Sequence, residues 1–317
     1  MSFSSKAKNE LARIKTEGKC CQRALLSGVI RVSGSLEFGG RNTMNLRIVT
    51  ENPAVARLII FLLKKNHQLH TELIMKESKI LNKHHSYEIF VENANGILTD
   101  LGIMRLDGDA YLLEDKLPKT IVKKACCKKA YLRGIYLGGG SLSAPEKSYH
   151  LELITHNEYY ANQLVDYIND AYDLGAKVTV RKKNFIVYLK ESEKIVDFLN
   201  IIGAHQTLLE YENVRIIKQM RNNVNRVVNC ETANMTKTAD AAFEHIHAIE
   251  IIEAAEGLDY LDEKLRSIAE VRIENPEATL KELGEMLSPP IGKSGVNHRL
   301  KKIIEIAEQL QTKKRKV

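Results

Sequence analysis

The order of apolar and polar positions separates a long region of mixed spacing from a shorter one with helical spacing alone. Met44–Val49 alternates, with Leu46 and Ile48 on one side, as a half-buried strand does. Other strands are predicted near Leu36–Phe38, Leu69–Lys76 and Tyr87–Val91, and later near Leu151–Thr155, Lys177–Arg181 and Phe185–Leu189. Helical patterns lie between them. One follows Asn52-Pro53 and runs through ARLIIFLLKK, where Asn caps and Pro fits the first turn. Others cover Ala94–Leu101, Glu158–Tyr172 and Glu193–Ile202. From Ala239 onward every pattern is helical: Ala239–Glu256, ended by Gly257, then Leu261–Glu274, then two shorter patterns parted by SPPIG.

The mixed region repeats itself. Lys19–Leu36 (KCCQRALLSGVIRVSGSL) aligns without a gap on Ala125–Leu142 (ACCKKAYLRGIYLGGGSL), so Gly28 falls on Gly134 and each Cys-Cys pair on the other. NLRIVTEN (Asn45–Asn52) resembles HLELITHN (His150–Asn157), and ILTDLGI resembles IVDFLNIIG. Two similar halves packed about a pseudo-twofold axis are expected, each α-β-β-α-β-β-α, an α+β arrangement. The division predicted is 1–121, 122–229 including a connecting helix, and 230–317 as an all-α module. In the connecting stretch NVRIIKQMRNNVNRVVN, Val214, Ile217, Val224 and Val228 form an apolar stripe. Arg215, Lys218, Asn222, Asn225, Arg226 and Asn229 fall largely opposite, which suits either phosphate contact or a solvated connector. CETANMTKTADAA after it reads as a linker or a helix start, with a boundary near Cys230.

The last segment carries the sharpest local signals. Thr279-Leu280-Lys281-Glu282 is a capping box. Leu280, Leu283 and Leu287 make a short amphipathic helix that Ser288-Pro289-Pro290-Ile291-Gly292 must break. Ser294 is placed to cap the next helix, in which Val296, Leu300, Ile303 and Ala307 share a face. A short helix, a turn and a longer basic helix make the helix-turn-helix plan, predicted over about 275–310. Lys293, Asn297, His298 and Arg299 are placed to reach base edges or their surroundings, and Thr279, Lys281, Ser294, Lys301 and Lys302 complete the DNA-binding set, with Lys281 and Lys302 assigned to phosphates. The rival reading is any helical hairpin with a basic surface. GKS at 292–294 is not a P-loop, because that motif needs glycine where Leu287 stands.

Composition narrows the partners. The 317 residues carry a formal charge of +7, which favours an anionic partner. Acidity is concentrated between Thr238 and Ala278, where 11 Asp or Glu face 3 Lys or Arg, so that side should turn from DNA. In the second half, Lys177, Thr179, Arg181 and Lys183 alternate with Val178 and Val180 and, together with Arg215, Lys218 and Arg226, are candidate secondary DNA contacts. In the first half Glu72, Glu77 and Glu88 are interleaved with Lys76, Lys79 and Lys83, a mixed face. KKRK at Lys313–Lys316 reads as a disordered basic tail that adds phosphate attraction. No apolar run approaches the roughly 20 residues of a bilayer span, and the start lacks a signal-like apolar stretch, so a cytoplasmic, nucleoid-associated location is expected. Of the five cysteines none forms C-x-x-C, and no histidine stands at zinc-finger spacing from a pair. Reduced, partly buried thiols, no metal and no cofactor are the expectation.

The repeated glycines resemble the LAGLIDADG homing-endonuclease fold, in which two helices of pattern L-x-G-x-x-x-x-[DE]-G pack along their glycines. Leu26-Ser27-Gly28…Gly34 and Leu132-Arg133-Gly134…Gly140 fit that spacing, and the resemblance makes Gly28, Gly34, Gly134 and Gly140 the helix interface. It also places the nucleases' metal-holding acids at Ser33 and Gly139, neither of which can hold a hard cation. A degenerate pair of this kind followed by SPPIGKSGVNHRLKK, with NRVVNCETAN at the joint, resembles the WhiA family over essentially the whole chain. That resemblance implies a sequence-specific, double-stranded-DNA-binding transcription regulator of Gram-positive bacteria. It implies no catalysis and ties to cell division, chromosome segregation or sporulation, with other transcription or cell-division proteins as further partners. Two alternatives stay open: an active endonuclease with replacement carboxylates, and a nucleoid or partner-binding scaffold with little sequence preference.

Overall fold

A computed structural model describes residues 2–16, 18–40, 43–67, 71–77 and 85–314. The chain forms two compact units, Met1–Lys218 and Gln219–Val317. The first opens with α1 (Phe3–Arg13), α2 (Lys19–Ser33), β1 (Gly34–Gly40), β2 (Thr43–Thr50), α3 (Pro53–His67), β3 (Glu72–Glu77), β4 (His85–Val91), α4 (Asn95–Asp100) and the hairpin β5 (Met104–Asp107) and β6 (Ala110–Leu113). It repeats with α5 (Ala125–Gly139), β7 (Gly140–Leu142), β8 (Leu151–Thr155), α6 (Glu158–Tyr172), β9 (Lys177–Arg181), β10 (Asn184–Leu189) and α7 (Ser192–Ile202). α8 (His205–Glu256) begins in the first unit and ends in the second, which continues with α9 (Glu263–Glu274), α10 (Leu280–Met286) and α11 (Lys293–Lys314).

The two halves of the first unit share one topology. Each has a four-stranded antiparallel sheet, ordered β1-β2-β4-β3 in one half and β7-β8-β10-β9 in the other. Register follows the alternation of apolar residues: Ile48 faces Ile89 across β2 and β4, and Leu153 faces Val187 across β8 and β10, all four buried. Asn52 caps α3, its Oδ1 accepting from the amides of Ala54 and Val55, and Asn157 caps α6 in the matching place. The α+β class and the tandem repeat expected from the sequence are what the chain adopts.

At the centre α2 and α5 pack backbone to backbone. A Cβ on Gly28 would overlap the Tyr131 carbonyl oxygen of α5, and one on Gly134 would overlap the Leu25 carbonyl oxygen of α2. The other two glycines assigned to this interface act differently. Gly34 and Gly140 are the C-caps where each helix gives way to a strand, and a Cβ there would strike its own helix at Ile30 or Tyr136. The third crossing contact is instead Gly138, against Val29 and Val32. Leu25, Val29, Leu132 and Ile135 flank the contact and are fully buried.

Four other expectations change. The hairpin β5–β6, turned at Gly108-Asp109 with Gly108 at φ 61, has no counterpart in the predicted α-β-β-α-β-β-α order, and neither does α1. CETANMTKTADAA, expected as a linker or a helix start, is helix interior: α8 runs unbroken for 52 residues through Cys230, and the two units divide at Lys218 and Gln219. β9 stops at Arg181, so Lys183 lies past the strand, in the turn where Lys182 takes φ 57. Leu69, Lys79 and Lys83 lie outside the described residues. Among the described residues no helix is long and apolar enough to cross a membrane.

Candidate nucleic-acid interface

The second unit is a helical core around Ile249, Ile252, Leu265, Ile268, Leu283, Val296, Leu300 and Ile303. α10 starts at the predicted capping box: Thr279 Oγ1 accepts from the Glu282 amide at 3.3 Å, and Glu282 Oε2 accepts from the Thr279 amide at 2.7 Å. Hydrogen bonding from Thr279, its backbone amide first, holds the Glu282 carboxyl below its ordinary range. The turn then folds back on α10. The Ile291 amide donates to the Gly284 carbonyl at 3.0 Å, and a Cβ at Gly284 would overlap the Ile291 carbonyl oxygen. Only glycine lets the turn cross that closely, so Gly284 sets the approach of α10 to α11. Gly292, not Ser294, occupies the cap position of α11: the Val296 amide donates to the Gly292 carbonyl, and Ser294 lies exposed in the first turn.

α11 is buried on one side only. Val296, Leu300, Ile303 and Ala307 are buried as predicted, and Lys293, Ser294, His298, Lys301 and Lys302 are exposed, with Asn297 half-buried beside them. Thr279 and Lys281 are exposed at the start of α10, Lys281 standing 3.8 Å from Glu285. Arg299 behaves differently from the rest. It is half-buried and its Nη1 donates to the Lys264 carbonyl of α9 at 3.4 Å, so it ties α11 to the bundle.

Two buried polar residues of the second unit were not among those predicted. Arg272 is 2% exposed, and its Nη1 donates to the carbonyls of Asn275, Pro276 and Ala278, gathering the turn that leads into α10. His245 on α8 is 5% exposed. Burial, aided by the nearby Arg272 charge, pulls its pKa down to about 4. A cue was present: Arg272 falls in the helical series Leu265, Ile268, Ala269, Arg272, a core position held by a charged residue.

The secondary candidates of the first unit divide into engaged and exposed. Arg181 forms a two-pronged pair with Glu152, at 2.6 and 3.1 Å, and His150 Nε2 lies 2.7 Å from the same carboxylate. Burial alone would raise the Glu152 carboxyl, but these hydrogen bonds outweigh it and hold the carboxyl low. The first half matches: Arg47 pairs with both Glu37 and the buried Glu88, and Lys76 reaches Glu88 at 2.5 Å. Arg215 lies 2.8 Å from Glu212, and Lys218 sits 4.9 Å over the Tyr149 ring while facing the carbonyls of Pro145 and Glu146. Lys177, Thr179, Lys183 and Arg226 are exposed. The arginines on the sheets thus meet carboxylates within the chain, whereas Lys293, Lys301 and Lys302 on α11 project outward.

At the positions of the nuclease acids, Ser33 Oγ donates to the Val29 carbonyl at 2.8 Å, and Gly139 lies where a Cβ would stand 2.8 Å from the Ile154 carbonyl oxygen. Among the described residues the one group of three or more His, Cys, Asp or Glu side chains placed to share an ion lies elsewhere. It comprises Cys20, Cys21, Cys126 and Cys127, at the opposite ends of α2 and α5.

Comparison with known proteins covers the whole chain. The WhiA N-terminal LAGLIDADG-like domain matches residues 19–104, the WhiA LAGLIDADG-like domain 128–221 and the WhiA C-terminal HTH domain 224–307. Relatives named probable cell division protein WhiA, from Alkaliphilus metalliredigens and Clostridium novyi, are each 50% identical. Both alignments cover 98% of this chain, and 98% and 99% of those proteins. The crystal structure of full-length DUF199/WhiA from Thermatoga maritima is 27% identical with a TM-score of 0.60, over 98% of this chain and 99% of that one.

Proposed function

The chain belongs to the WhiA family, and from that premise we propose that it is a sequence-specific DNA-binding transcription regulator acting in cell division. The observation that carries the reading is α11: a buried apolar side seats it on the bundle and leaves Lys293, Asn297, His298, Lys301 and Lys302 outward. A helix presented this way enters a major groove with its first turns against base edges. Asn pairs with adenine and Lys with guanine, while Lys301 and Lys302, further along, meet phosphates. The acidic stretch between Thr238 and Ala278 stays away from the polyanion. Location with the nucleoid, and links to chromosome segregation and sporulation, extend the same proposal.

The reading includes the absence of nuclease chemistry. Ser33 and Gly139 supply no carboxylate where a hard divalent cation would bridge attacking and leaving oxygens. The first unit then serves as a frame for the reader, adding non-specific grip or a docking face for partner proteins.

The test is footprinting on genomic fragments selected by crosslinking in cells. Lys293→Ala with Asn297→Ala should erase the preference for selected over random DNA, each good base contact being worth about 1–3 kcal/mol. Arg299 is left unchanged because it also holds α11 to α9. Footprints unaltered by the double change reject the assignment of α11 as reader. Cleavage of the selected DNA with Mg²⁺ or Mn²⁺ rejects the non-enzymatic part.

A further inference from the structure

The four cysteines of the repeated segments converge at one place. Cys20 and Cys21 sit in the first turn of α2, Cys126 and Cys127 in the first turn of α5. Packing α2 against α5 brings all four Sγ atoms within 4.8 Å of one another, with Cys126 and Cys127 3.9 Å apart. Tetrahedral zinc with Zn–S bonds of ~2.3 Å needs sulfurs ~3.8 Å apart, so the cluster is close to that geometry before any ion enters. All four are free thiols. Burial grades from Cys127, enclosed, through Cys20 and Cys21, half-buried, to Cys126, exposed, so the cluster opens to the surface and an ion has a way in.

The surroundings suit a thiolate site. Both pairs lie where helix amides are unsatisfied and the helix dipole favours negative charge. Lys19, Lys123, Lys124, Lys128 and Lys129 flank the pairs in sequence, and Lys124 stands near enough to favour negative charge on Cys20. Gly18, the residue before α2, borders the cluster: a Cβ there would lie in ordinary contact with Cys20 Sγ at 3.7 Å and Cys21 Sγ at 3.9 Å. The ligand set is all sulfur, which selects a thiophilic ion over magnesium or calcium. Spacing rules for zinc fingers miss it because each half of the repeat supplies one doublet, and neither doublet is a site alone.

We propose that Cys20, Cys21, Cys126 and Cys127 bind one zinc ion, a structural staple joining the two halves of the first unit at the end of the helix pair remote from Ser33 and Gly139.

The test uses the full chain, reduced and stripped of metal under anaerobic conditions. Titration with Co²⁺ should give thiolate-to-cobalt charge-transfer and tetrahedral d–d bands that saturate at one equivalent and disappear on adding Zn²⁺. Zinc should also slow reaction of four of the five thiols with a maleimide, leaving Cys230 reactive. Cys21→Ser with Cys126→Ser should abolish the bands. Should that variant fail to fold, wild-type protein decides: chelation should lower its Tm and an equivalent of Zn²⁺ restore it. Absence of tetrahedral cobalt bands in reduced wild type, bands that survive the double change, or a Tm indifferent to zinc would each overturn the proposal. Recovery of wild type with its doublets cross-linked as disulfides and no zinc uptake after reduction would do the same.

Discussion

Glycine decides the centre of the first unit, and it does so one position at a time. Gly28 and Gly134 let α2 and α5 touch along their backbones, and any Cβ there must displace a carbonyl of the facing helix. Ser33 and Gly139 stand in matching places in the repeat but differ in room. Ser33 is half-buried with its hydroxyl turned back to Val29, whereas a Cβ at Gly139 would stand 2.8 Å from the Ile154 carbonyl oxygen and 3.4 Å from Val32 Cβ. Putting back the nuclease acids should therefore be asymmetric. Ser33→Asp is expected to fold with little change. Gly139→Asp is expected to cost about 1–3 kcal/mol through overpacking, and the double variant to gain no Mg²⁺-dependent nicking. Thermal unfolding and a supercoiled-plasmid assay measure both, and equal stability of the two single variants would refute the steric argument.

Among the elements, the helices around α9 carry a built-in response to acid. His245 of α8 is buried and its pKa lies at about 4, pulled down first by burial and then by the Arg272 charge. In the unfolded chain the ordinary value is about 6.5. The folded state therefore favours neutral His245, and its contribution is fully present above pH 6.5 and lost as pH falls towards 4. At pH 5 the second unit should be weaker by about 1–2 kcal/mol than at pH 7.5. His245→Gln should flatten that slope, as read by urea unfolding at the two pH values, and a wild-type midpoint independent of pH would contradict it. Legibility also divides by element. The Asn52 and Thr279 caps and the α11 stripe were plain in the sequence, because each depends on residues within a few positions of one another, and the tandem repeat was plain because the same residues recur in register. The continuity of α8 was not: the stripe of Val224 and Val228 marked a connecting helix and Ala239 began another, but the Thr and Asn of CETANMTKT between them suit a linker as well as a helix start, and residues 221–240 are exposed throughout. The hairpin β5–β6 had a cue in Gly108-Asp109, but its strands are short and mostly exposed. The four-cysteine cluster lay beyond any local rule, since its ligands meet only when α2 packs on α5.

Across the whole molecule, charge is sorted by how it is paired rather than by how much there is. On the sheets of the first unit Arg47 and Arg181 are held by Glu37, Glu88 and Glu152, so those cations are largely spent within the chain. On α11 Lys301 and Lys302 are exposed above a wholly apolar seat. Binding to DNA releases roughly one counterion per phosphate neutralised, so each cation that meets a phosphate adds close to one to the slope of log affinity against log salt. Lys301→Ala with Lys302→Ala should lower that slope by about 2 in magnitude while leaving the ranking of DNA sequences unchanged. Lys177→Ala with Lys183→Ala tests the first unit in the same assay. These two are exposed cations of the second half, and a similar fall in slope would place DNA across the sheets as well as α11. An unchanged slope would assign the grip to α11 alone and leave the sheet faces for other partners. Arg181→Ala should change neither, because its charge is already matched by Glu152; a reduced slope for that variant would mean that DNA displaces the carboxylate.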